Sequence, residues 1–267
     1  MAIGTDNPNI GSVSNVIDTN RLDDYHLSLS IDGNLFSYAV LDKKRGEFLD
    51  VRTDLSMEQV IKDLGYEFSS VTCVLRSQQA TLVPASLYQS ENQDQFLKLS
   101  FDIEDDTSVE MNWLNNKNIA NVFCFPSTIK KQLIKQFPGV QLLHSSSVFI
   151  EAILKNQPMG SFFINFSPTF FELLVVENNE ISFYNTFQYS STEDVAYYLF
   201  YCAKQLDIKP QTISLSLYGE SSNEIESLLN DYVKEVKKGD LFIIFDAKLQ
   251  SKAHSRAFSL LSQHLCV

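Results

Sequence analysis

Glycine is scarce in this sequence, at 9 residues in 267, where ordinary usage of about 7% would give roughly twice as many. Loops that cradle phosphate need close backbone approach, so few of them can be assembled here. Cations are also outnumbered, with 21 Lys and Arg against 33 Asp and Glu and a net charge of −12. A chain this acidic has no basic stripe for a phosphate polymer or an anionic membrane surface, which argues against nucleic acid as a partner. No apolar run approaches the roughly 20 residues of a membrane helix, Leu241 to Phe245 being typical of the longest. The four cysteines, Cys73, Cys124, Cys202 and Cys266, form no CxxC or CxxH pair. They read as reduced thiols of a cytoplasmic protein, three buried as small hydrophobes and Cys266 near a frayed end. The first residues carry no basic segment and no apolar core, so no secretory signal is expected.

What is present is the composition of a folded protein, 44% hydrophobic and 20% charged. Length allows one large domain or two smaller ones. Residues 1–22 are rich in Asn, Ser and Asp with little periodicity and are expected to be a tail or a loosely attached extra strand. Alternation at Tyr25, Leu27, Leu29 and Ile31 then predicts a strand. Asp32-Gly33-Asn34 supplies a turn, Leu35 to Leu41 a second strand and Glu47 to Thr53 a third. Ser56 with Gln59 makes a capping box for a short helix stopped at Gly65, and Val71 to Leu75 is a fourth strand.

The same order recurs from Ser161. Strands are expected at Phe162 to Phe166, Phe170 to Val176 and Ile181 to Phe187, then a helix capped by Ser191 and Asp194, then a strand at Ile213 to Tyr218. An offset of 135 positions superimposes Phe36 on Phe171, Val40 on Val175, Phe48 on Phe183, Ser56 on Ser191, Val60 on Val195 and Leu64 on Leu199 without a gap. Chance likeness between hydrophobic meanders competes with a duplicated βββαβα unit; one offset shared by turns, strands and cap favours duplication. The first half carries an insertion at about 78–118, with a helix near Glu91 to Leu99 and an acidic loop. It closes with strand Val122 to Phe125, helix Ser127 to Phe137, strand Val140 to Leu143 and helix Ser146 to Leu154. The second half closes with helix Asn223 to Val236, strand Leu241 to Phe245 and helix Lys252 to His264. The expected fold is α/β: two tandem ribonuclease-H-like units over 23–158 and 159–267, each a mixed sheet flanked by helices, on the plan of actin and the sugar kinases.

Four features together resemble a bacterial family of unknown function with a degenerate actin-like ATPase fold. They are the paired meanders Leu27–Thr53 and Phe162–Phe187, the run Leu82-Val83-Pro84-Ala85-Ser86-Leu87-Tyr88, Phe123-Cys124-Phe125-Pro126, and Leu143-His144-Ser145-Ser146. The resemblance covers the chain from about Tyr25 and identifies a fold better than an activity; pilus-assembly and cell-division relatives are analogies at fold level. It implies that active members hold Mg-ATP between the halves, on two phosphate-binding hairpins and a glycine-containing adenosine loop. Under that reading Asp32 would organise magnesium, while Gly33, Ser167, Thr169 and Gly219 would approach phosphates or adenosine. Against it, Asp-Gly is a favoured hairpin turn in its own right. Pro168 lacks an N–H where glycine is wanted, and Glu220 beside Gly219 would repel phosphate if it faced the cleft.

Other chemistry finds less support. An EF-hand loop starting at Asp102 would need Gly at Thr107 and Glu at Trp113, so the acidic cluster reads as a solvated loop. His26, His144, His254 and His264 show no metal-ligand spacing. Ser145, Ser146 and Ser147 beside His144 read as helix caps rather than nucleophiles. Tyr197 and Tyr201 lie off the apolar stripe of Tyr198 and mark either interdomain packing or a protein interface. The expectation is a cytoplasmic, non-catalytic protein-interaction or assembly module with no cofactor, an unidentified protein partner and a homodimer among the candidates. The alternative is a divergent ATPase or phosphotransferase, and a third reading is a cleft that binds a different small metabolite.

Overall fold

The computed structural model describes residues 17–64, 68–114, 118–156, 161–239 and 257–266. The first meander is β1 (Tyr25–Asp32), β2 (Leu35–Asp42) and β3 (Glu47–Leu55), followed by α1 (Met57–Asp63) and β4 (Val71–Arg76). Ser56 caps α1, its hydroxyl on the Gln59 N–H and the Gln59 side chain on its own N–H, as the capping box requires. Within the segment read as a tail, Ile17 is 6% exposed and packs with Leu22 against the first core.

The insertion holds β5 (Ala80–Pro84), α2 (Gln93–Lys98) and β6 (Thr107–Leu114), and leads into β7 (Ile119–Pro126). Next come α3 (Ser127–Gln136), β8 (Gln141–His144) and α4 (Ser145–Asn156). The expected strand at Val122 to Phe125 is part of β7, but β7 does not join the main sheet. It pairs antiparallel with β5 and β6 in a separate three-stranded sheet, because those flanking strands offer it both partners. The fifth strand of the first main sheet is therefore β8.

The second half contains β9 (Phe162–Phe166), β10 (Phe170–Glu177), β11 (Glu180–Gln188), α5 (Thr192–Gln205) and β12 (Ser214–Gly219). It continues with α6 (Asn223–Asn230), β13 (Glu235–Lys238) and, after the gap in the described residues, α7 (Phe258–Leu261). The helix expected to run to Val236 ends at Asn230 instead. Val236 lies on β13, whose parallel bonds to β12 satisfy backbone groups that a longer helix would have used internally. The stop at Gly65, the strand at Leu241 to Phe245 and the first part of the closing helix lie outside the described residues.

The two main sheets share one topology, β3-β2-β1-β4-β8 and β11-β10-β9-β12-β13, each antiparallel through its meander and parallel beyond it. The offset of 135 survives in the pairing itself: Phe36 faces Ile31 and Phe171 faces Phe166, while Val40 faces Leu27 and Val175 faces Phe162. It fails in the third strands. Leu41 faces Phe48, whereas Val176 faces Ile181 and Phe183 stands opposite Val175. The second hairpin is two residues tighter, with Asn178 and Asn179 at φ 53° and 65°, the left-handed pair that a two-residue turn needs. The loop before α5 gives the two residues back, which is why the sequences align without a gap.

Each sheet buries one face under its own helices. Leu27, Leu29, Ile31 and Tyr38 pack with Val60 and Leu64 in the first lobe, and Ile164, Phe171 and Leu173 pack with Val195 and Leu199 in the second. A fully buried side chain of this kind contributes about 1.5–3 kcal/mol. Between the lobes, Phe149 and Ile153 of α4 meet Phe163, Leu174 and Tyr218 of the second sheet together with Phe258 of α7. Leu260 and Leu261 of α7 cross back onto Ala39, Leu41 and Phe48 of the first sheet. Among the described residues no helix is long and apolar enough to cross a membrane.

Candidate functional site

In α/β sheets, ligands bind beyond the carboxyl ends of parallel strands. Here those ends face one another across the lobes. β1 ends at Asp32 beside Arg76 of β4, its register partner, and β9 ends at Phe166 beside Gly219 of β12. Between them lies a cleft of about 260 Å³, lined among others by Ser30, Asp32, Asp54, Arg76, Pro168 and Glu220.

Arg76 dominates this junction. Its side chain is 9% exposed, and one guanidinium nitrogen approaches Asp32 at 3.4 Å. Another donates to the Ser167 hydroxyl at 2.7 Å and to the Phe166 carbonyl at 3.2 Å. The guanidinium thus ties the first hairpin to the second. The expected strand stopped at Leu75, one residue short of Arg76; the available signal was a lone cation closing an otherwise apolar strand.

The residues singled out as a nucleotide site are placed as follows. Asp32 lines the cleft on its Arg76 partner, and Pro168 and Glu220 line it too. Ser167 is 3% exposed, held beneath Arg76, and its carbonyl accepts from the Tyr189 hydroxyl. Its N–H is used by the Phe170 carbonyl, and Pro168 has none to give. Gly33, at φ 60°, and Thr169 are turn residues outside the cleft lining. Gly219 serves close packing: at φ 73°, a Cβ there would lie 2.2 Å from the Phe166 carbonyl oxygen. These residues do not fit Mg-ATP, since the second hairpin offers too few amides and the Arg76 guanidinium spans from Asp32 to Ser167 across the hairpins.

The two residues after Arg76 extend the junction. Ser77 bonds His144 Nε2 at 3.1 Å, and Gln188 of the second lobe donates to Gln78 at 2.9 Å. His144 Nδ1 accepts from the Ser146 N–H, so Nε2 carries the proton and donates to Ser77. Burial holds this imidazole neutral, with its pKa lowered to about 3. Ser146 and Ser147 do not act as simple caps. Both accept from Asn121, and Ser147 donates to Asn112, which fastens the first turn of α4 to the inserted sheet. In the second lobe Glu172 is 1% exposed and accepts from Asn165 and Tyr184. Burial pushes its pKa upward.

The acidic loop is exposed at Asp102, Glu104, Asp105 and Asp106. Among the described residues no group of three His, Cys, Asp or Glu is arranged to hold a metal. Three cysteines are buried, and Cys266 is half-buried against α4, its thiol pushed up to about 12, first by burial and then by Glu151. Tyr197 and Tyr201 are 63% and 51% exposed, which removes them from interdomain packing. They stack on each other at 6.1 Å on the outer face of α5.

Comparison with solved structures supports the architecture. A Bacteroides thetaiotaomicron protein with actin-like ATPase fold and unknown function superimposes with a TM-score of 0.77 at 18% identity, covering 94% of this chain and 99% of that one. A type IV pilus biogenesis complex, PilM-PilN, matches at a TM-score of 0.52 and 10% identity, covering 91% of this chain and 98% of that one. No curated protein matches the sequence significantly. The fold is that of the actin-like ATPases, and with residues 14–236 matched by its family model the chain belongs to the family described as "Protein of unknown function (DUF3822)".

Proposed function

We propose that this protein is a non-hydrolysing member of the actin-like fold, working as a protein-interaction or assembly module in the cytoplasm. The observation that carries the reading is Arg76, whose guanidinium takes up the acceptors of both hairpins where nucleotide phosphates would need amides and open space. Pro168 and Glu220 in the cleft lining support it. The lobes share one sheet topology, yet their first turns differ, Asp32-Gly33-Asn34 in one and Ser167-Pro168-Thr169 in the other. That a protein of similar fold was solved within a pilus biogenesis complex agrees with an assembly role. The exposed Tyr197 and Tyr201, stacked on each other on α5, form the aromatic surface best suited to a neutral or basic protein partner. Thermal denaturation with millimolar Mg-ATP tests the reading: the midpoint stays unchanged, whereas saturable stabilisation lost in Asp32→Ala would establish the divergent ATPase instead.

A further inference from the structure

The cleft beside Arg76 has its own polar floor. Ser30 of β1 and Ser37 of β2 are register partners, and both line it. Ser30 is only 8% exposed, and among the described residues no hydrogen bond engages either hydroxyl. A hydroxyl that opens onto a cleft without a protein partner is available to a ligand or to water. Above this floor stand Asp54, at the end of β3, and Glu220, after β12. Asp32 and Arg76 occupy each other. The backbone presents Asp54 from a left-handed conformation at φ 59°, and among the described residues its carboxylate accepts from neighbouring Thr53 alone. Leu35, Ala257 and Leu260 add apolar wall.

We propose that this cleft binds a small protonated amine, of roughly diamine or amino-alcohol size. Its ammonium group would lie on Asp54 and its remaining donors on the Ser30 and Ser37 hydroxyls. The volume of about 260 Å³ suits such a ligand and falls below the roughly 300–1,000 Å³ of pockets for drug-sized molecules. The carboxylates of the lining attract a cation and repel phosphate, so the inference rests on the non-nucleotide reading of the cleft.

The test is isothermal titration calorimetry of the intact chain at fixed ionic strength, with 1,4-diaminobutane, 1,4-butanediol and Mg-ATP as separate titrants. The diamine binds saturably and the uncharged diol does not. Asp54→Asn, which tolerates the same left-handed backbone, weakens the diamine about tenfold or more. Ser30→Ala weakens it about threefold, a neutral hydrogen bond's share. Asp105→Asn in the exposed acidic loop leaves it unchanged, which separates a site from general attraction to an acidic protein. The proposal is overturned by an absence of saturable diamine binding, by equal binding of the diol, or by Asp54→Asn and Asp105→Asn behaving alike. Saturable Mg-ATP binding would overturn the non-nucleotide reading itself and this inference with it, whereas silence from both titrants overturns the inference alone.

Discussion

Arg76 and Ser167 stand 91 residues apart in sequence and 2.7 Å apart in the fold, joined by a guanidinium that also reaches the Phe166 carbonyl and Asp32. An arginine with these contacts holds two lobes in one relative position. It also spans the two hairpins beside the cleft that Asp32, Pro168 and Glu220 line.

A double-mutant cycle should therefore find Arg76 and Ser167 coupled. Hydrogen bonds to a charged group contribute about 1.5–3 kcal/mol, and Arg76→Ala should cost about that much in urea unfolding. After Ser167→Ala the same change should cost at least about 1 kcal/mol less. Arg76→Lys should restore little, because an ammonium lacks the planar fork. Simple additivity of the two substitutions would show that the contact holds nothing.

Gly33 and Gly219 should respond differently to alanine. At Gly33 a Cβ meets nothing within 4 Å, so only the left-handed backbone at φ 60° is penalised, by about 1–2 kcal/mol. At Gly219 the Cβ would also strike the Phe166 backbone, at 2.2 Å from its oxygen. Gly219→Ala should lower stability by more than about 3 kcal/mol or abolish soluble folding. Equal tolerance at both sites in denaturation curves would contradict the packing.

The tyrosines of α5 should separate by face. Tyr198 stacks on Phe187 at 4.5 Å, and its replacement by Ala should cost about 2 kcal/mol. Replacing exposed Tyr197 and Tyr201 together by Ser should change stability by less than about 0.5 kcal/mol per site. A large loss from the exposed pair would return them to the interior.

Acid should destabilise the fold through His144. The folded chain keeps this imidazole neutral, its pKa lowered to about 3 by burial, while the unfolded chain protonates it near 6.5. As pH falls, the unfolded state takes up the proton first. The contribution of His144 is thus complete above about pH 6.5 and is lost as pH drops toward 3, at up to about 1.4 kcal/mol per pH unit. The stability advantage of wild type over His144→Asn should shrink accordingly between pH 6 and 4 in urea titrations. A gap independent of pH would mean that His144 takes up its proton as readily in the fold as in the unfolded chain.

Much of this architecture is legible in the sequence because its signals are local. Alternation at Leu27, Leu29 and Ile31, the turn at Asp32-Gly33-Asn34, and the caps at Ser56 and Ser191 each depend on residues a few positions apart. The inserted sheet was not legible, because β5 and β6 owe their pairing to β7, which lies between them in space but not in sequence. Val233 and Val236 suit either helix or strand, and β12 decides for strand only at Val236. Pro168 and Glu220 could be weighed from the sequence, and both line the cleft. The reach of Arg76 to the other lobe, and the open hydroxyls of Ser30 and Ser37, come from three-dimensional juxtaposition alone.

The proposed non-hydrolysing role requires that the interlobe cleft, with Arg76 across its hairpins, take up no nucleotide. Calorimetric titration of the intact chain with Mg-ATP to millimolar concentration tests it most directly. No saturable heat, and none in Asp32→Ala, is the result expected; saturable binding by wild type that disappears in Asp32→Ala would contradict the account.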